Sequence, residues 1–159
     1  MKFSEWILQN QYRWVGYRLL EEQIVGSIGT DFDVEASVVD IRFDHQGNSK
    51  EGRYLFLTTG AVLDITVLMH TAPDFSNQEL SAALRWLPLK AVASMNYGLA
   101  ISDTSLDRPE ARYTCKFTQE SGLGPLLLPP MEQEDLKPDE VREYLEFGRK
   151  LSRKILAGA

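Results

Sequence analysis

Cys115, the single cysteine of the chain, lies in a run where Ala111, Tyr113, Cys115 and Phe117 alternate with Arg112, Thr114, Lys116 and Thr118. A catalytic thiol needs a base and surroundings that lower its pKa. On the apolar side of a strand it has neither, so the spacing predicts a buried structural cysteine. The two histidines, His45 beside a turn and His70 at a strand end, fall in two further elements. With Cys115 they exhaust the imidazole and thiol ligands, and no metal site is expected from such a scatter. Asp40, Asp44 and Asp64 occupy polar positions of alternating segments. Paired acids can serve acid-base chemistry, but these have no evident acid partner or cleft and read as a solvent-facing row of charges. "GLGP" at Gly122–Pro125 lacks the Lys-Ser/Thr ending of a phosphate loop and reads as a turn. Glu132, Glu134 and Asp135 lack the spacing and glycine of a calcium loop and read as a solvated approach to a helix. The expectation is no catalytic residue, no cofactor and no metal.

Composition narrows the function classes further. The 159 residues fit one domain, taken as 1–159, able to bury about two thirds of the unfolded surface. Hydrophobic residues at 43% and charged residues at 25% are those of a globular chain rather than a disordered one. A net charge of −6 repels a phosphate backbone, so no nucleic-acid partner is expected. One cysteine allows no intrachain disulfide, which fits a reducing compartment. "MKFSEWILQNQYRWVG" does not read as a signal peptide, and no run reaches the roughly 18 apolar residues of a membrane span. A cytoplasmic protein without a membrane partner is expected.

The elements that must position these side chains follow from periodicity. From Ser4, a plausible N-cap, to Ile28, the residues Trp6, Ile7, Trp14, Val15, Leu19, Leu20 and Ile24 recur at helical spacing. Gly16 and Gly26 weaken that helix, so one interrupted helix or two short ones are predicted. Val39, Ile41 and Phe43 then alternate with Asp40, Arg42 and Asp44, "RYLFL" returns after "QGNSKEG", and Leu63, Ile65, Val67 and Met69 mark a third strand. These make a meander. "SNQEL" has the capping-box pattern of Ser76 and Glu79, which predicts a central helix with Leu80, Ala83, Leu84 and Leu87 buried, kinked at Pro88 and running on to Met95. Leu99–Ile101 and Ala111–Phe117 form a second hairpin around "DTSLDRPE". A Pro/Gly-rich connection at about 120–137, with three consecutive leucines, is expected to cross the surface. Pro138 opens a last helix with Asp139 and Glu140 at its positive end, Arg149, Lys150, Arg153 and Lys154 toward its negative end, and an inward stripe of Val141, Tyr144, Leu145, Gly148, Leu151 and Ile155. The class is α+β, an antiparallel sheet with helices in the order α-β-β-β-α-β-β-α.

That order, and the passage "SNQELSAALRWLPLKAVASMNYGLAISDTSLDRPEARYTCKFTQESG", resembles the type III secretion chaperone-like fold, which includes class I secretion chaperones and YbjN-like proteins. The resemblance implies a small acidic homodimer that binds other polypeptides without nucleotide. On that reading the chain is a non-enzymatic, chaperone-like protein whose partner is a protein or peptide held against its sheet. Val39, Ile41, Phe43, Tyr54 and Phe56 are the candidate partner-binding residues, if that face stays open. Trp6, Trp14 and Trp86 are read as packing residues, any exposed one marking an interface. The alternative is a small-molecule-binding or enzymatic domain with a pocket between the sheet and the central helix, where Asp64 and His70 would converge. A third reading is a structural subunit stable only with its partner.

Overall fold

A computed structural model describes residues 1–15, 21–43, 49–71, 78–100, 110–130 and 136–158. Both sheet and helix are present, so the α+β class holds. The chain divides into two compact units, Met1–Trp86 and Leu87–Ala159.

In the first unit, β1 (Ala36–Phe43), β2 (Ser49–Leu57), β3 (Ala61–Thr71) and β4 (Gln78–Pro88) form a sheet in the order β1-β2-β3-β4. The expected meander is present. Val39 lies opposite Tyr54 and Tyr54 opposite Ile65, so the alternate apolar residues of three strands share one face. Helix α1 (Phe3–Gln9) lays Phe3, Trp6 and Ile7 into the same core. Spacing of three and four puts those side chains on one stripe. Phe56 makes T-shaped contacts with Phe3 at 5.0 Å and Trp6 at 4.7 Å, while Trp14 stacks on Tyr54 at 4.1 Å. Ser4 is inside the helix rather than at its cap, which is Lys2 without a side-chain bond. The helix ends at Asn10, whose side-chain amide donates to the Trp6 carbonyl at 2.8 Å. It satisfies one of the acceptors every helix end leaves open. Glu21–Val25 and Gly26–Ile28 add short helical turns, so the interrupted reading is right; Gly16, Leu19 and Leu20 lie outside the described residues.

The largest departure is at the centre. Gln78–Pro88 is a strand, not the first half of a helix, and Val92–Met95 belongs to another strand. The sequence "QELSAALRWLP" satisfies two periods: Leu80, Ala83, Leu84 and Leu87 fit a helix, but Leu80, Leu84 and Trp86 also fit alternate positions of a strand. Leu80 and Leu84 pack against the sheet's core and Trp86 meets Phe32 edge-on at 5.7 Å. Tertiary packing on the sheet overrides local helix propensity, and Pro88 suits the end of an edge strand as well as it suits a kink. Ser76 of the capping-box pattern lies outside the described residues.

In the second unit a short helical turn, Leu89–Ala91, precedes β5 (Val92–Ala100), which pairs antiparallel with β6 (Glu110–Phe117). The hairpin is present, and its turn lies outside the described residues. Leu126–Leu128 is a third strand, β7, paired with β6. The leucines expected to cross the surface are therefore structural: Leu126 and Leu128 are fully buried. Alternation decides this, since Leu126 lies opposite Cys115 and Leu128 opposite Tyr113 on one face. Helix α2 (Pro138–Leu156) covers β6 and β7, with Pro138 in its first turn, Asp139 and Glu140 beside it and Arg153 and Lys154 at its end, as the charge pattern predicts. Tyr144, Gly148 and Leu151 of the expected stripe are buried, Val141, Leu145 and Ile155 half-buried, and Phe147 is buried in addition. Gly148 lets the helix approach closely: a Cβ there would stand 2.5 Å from Cδ2 of Tyr113.

Candidate functional site

The proposed partner-binding residues do not form one open surface. Tyr54 and Phe56 are fully buried and Val39 nearly so, all three in the core under α1. Ile41 is half-buried against it, and Phe43, at the end of β1, is 63% exposed. The Tyr54 ring lies along its strand over Gly52, where a Cβ would meet the hydroxyl at 2.6 Å. That hydroxyl accepts from the Val15 N–H at 2.8 Å and donates to the Arg13 carbonyl at 3.0 Å. Burial pushes its pKa up to about 12, against the smaller opposing effects of the Val15 N–H and the Arg13 charge. Tyr54 is thus a buried strut of the core.

The carboxylate row is a correction of a different kind. Asp40 and Asp64 do share a sheet face, but they are 3% and 5% exposed rather than solvated. Arg42 Nε stands 3.4 Å from Asp40, and Asp64 lies between Arg85 at 2.8 Å and Arg53 at 3.5 Å. The Arg53 contact lacks hydrogen-bond geometry and leaves Asp64 Oδ1 buried without a hydrogen bond. Such a pairing neutralises buried charge. It offers no free acid or base. His45, Asp44 and the run Glu132, Glu134 and Asp135 lie outside the described residues, as does the side chain of His70. Among the described residues no group of His, Cys, Asp and Glu could hold a metal ion.

Cys115 is buried as expected, and burial pushes its pKa up to about 11. A thiol so protonated at neutral pH is a poor nucleophile. Gly122 has φ of +70° and follows the helical turn Gln119–Ser121, in keeping with the turn reading of "GLGP".

What the sequence reading missed is the free end of the second sheet. The order β5-β6-β7 makes β5 an edge strand, and it presents Tyr97 and Leu99, each 56% exposed. Both lie on the face that α2 covers further in, because Tyr97 pairs with Tyr113, Met95 with Cys115 and Leu99 with Ala111. Between this edge and the helix is an open groove of about 690 Å³. Tyr97 and Tyr113, in contact at 4.8 Å, form its floor; Val141 and Leu145 form a wall; Arg142 and Arg149 stand at its rim. Arg149 donates to Glu146 and, by that hydrogen bond and its charge, holds the Glu146 carboxyl below its usual range. Arg142 pairs with Asp139 at 3.5 Å. An uncharged strand edge beside an aromatic and aliphatic groove can accept an extended chain: main-chain groups pair with the edge while alternate side chains enter the groove. The signal in the sequence was the absence of any charge from Val92 to Ala100.

No family model, curated protein or solved structure matches the chain. No helix among the described residues is long and apolar enough to cross a membrane.

Proposed function

We propose that the protein is a non-enzymatic, chaperone-like binding protein that holds an extended, uncharged polypeptide segment along β5. The observation that carries this reading is the β5 edge itself, with Tyr97 and Leu99 exposed and Tyr97 lining the groove against α2. The alternative pocket loses its wall, because the central helix it required is strand β4, and its Asp64 is engaged by two arginines.

Amide hydrogen exchange with and without a reduced, carbamidomethylated model polypeptide tests the reading. Protection confined to Ala93–Ala100, and lost in Leu99→Lys, is the expected result. Protection that falls elsewhere, as along β1, would sink it, as would none at all on a chain shown by its mass to be a single copy.

A further inference from the structure

The two sheets have four outer edges among the described residues, β1 and β4 in one, β5 and β7 in the other. Open edges recruit strands from other chains unless charge, proline or shortness prevents it. Strand β1 carries Asp40 and Arg42, and β4 carries Glu79 and Arg85 and ends on Pro88. Strand β7 is three residues long, with Pro125 before it and Pro129 after it. By contrast β5, "VASMNYGLA", has nine residues and neither charge nor proline; its register shift lies at Val92–Ser94, and Met95–Ala100 pair regularly with β6. Three edges are defended and one is not.

We propose that the occupant of this edge is β5 of a second copy of the chain. This rests on the reading of β5 as the docking strand and names what docks there at rest. A neutral edge discriminates against charged strands, since a charge brought to it is desolvated without a partner. Among the described strands longer than three residues, only β5 is itself uncharged. Antiparallel pairing about a two-fold axis near Tyr97 sets odd-numbered residues against odd-numbered ones, so Met95, Tyr97 and Leu99 of both copies stay on one face. Two three-stranded sheets then become one of six strands, and each copy's Tyr97 comes to the open side of the other's groove. Charge favours this unit for self-association as well. Residues 87–159 hold 10 Lys and Arg against 11 Asp and Glu, whereas residues 1–86 hold 7 against 12. Like-charge repulsion is concentrated on the unit that the β5 contact does not use.

The test is a charge swap across the axis, read by light scattering on the full chain at micromolar concentration. The wild type should have the mass of two copies, and Tyr97→Lys and Tyr97→Glu should each have the mass of one. An equal mixture of the two variants should recover the two-copy mass, a result that general damage to the fold cannot produce. Circular dichroism checks that each variant is folded, and the pair Leu99→Lys and Met95→Glu, at positions that face each other across the axis, replaces any that is not. A two-copy mass that persists in both single variants overturns the proposal. So does a single-copy wild type; if the model polypeptide still protects β5 in that case, the binding reading survives, and if it does not, both fall.

Discussion

At the scale of the residue, Tyr54, Cys115, Asp40 and Asp64 are all buried in the structure. Tyr54 shows why this was hard to see. Its alternation with Phe56 was legible, but its hydroxyl reaches Val15 and Arg13, about forty positions earlier, which no local pattern records. In Tyr54→Phe the N–H of Val15, itself 3% exposed, loses its acceptor, at a cost of about 1–3 kcal/mol near neutral pH. The loss has a pH signature. The folded state holds the phenolic proton to about 12, while the unfolded chain releases it near 10.0. This contribution is therefore complete below the lower value and disappears as pH rises to the upper one, a change of up to about 2.7 kcal/mol. Denaturant titrations of both proteins should show the wild-type advantage shrinking over that alkaline window, with other tyrosines and lysines cancelling in the difference. A constant gap across it would show that the hydroxyl is not buried. Cys115, by contrast, was read correctly because its setting is local: the strand's own alternation places it inward.

At the scale of the element, success followed the strength of a single period. Helix α2 had capping charge, an N-terminal proline and one apolar stripe in agreement, and it spans Pro138–Leu156 as expected. The strands β1 to β3 had clean alternation and were equally legible. Gln78–Pro88 carried two periods at once, and the decision was made by a sheet edge that the local sequence does not contain. The leucines of β7 failed for another reason: three residues are too few to establish a period, and the flanking glycine and prolines signal a loop. Their burial gives the element a direct test. Leu128→Ala should cost about 2–5 kcal/mol in chemical denaturation, as a fully buried leucine does. A surface connection would lose less than about 0.5 kcal/mol, and that result would remove β7 from the sheet's core. The candidate site suffered from the same ambiguity. Reading Val92–Met95 as the end of a helix hid the continuous uncharged strand that now carries the functional proposal.

At the scale of the whole molecule, net charge is silent on distribution. A charge of −6 describes an acidic protein, yet nearly all of the excess lies in residues 1–86. The distinction matters because charge acts on association through the surfaces that meet, not through the total. If two copies join through β5, the approaching strands are neutral and their unit nearly so. Salt then has little to screen at the contact. Raising sodium chloride from 0.05 to 0.5 M shortens the Debye length from about 14 to about 4 Å, and the dissociation constant of the dimer should change by less than about threefold. Contact through the acidic unit behaves differently. Copies repelling one another there would associate much more tightly as salt rises, while copies joined by surface ion pairs would separate. Sedimentation equilibrium across that salt range separates the three cases. A flat response belongs to the neutral β5 edge, and a steep slope of either sign moves the interface away from it.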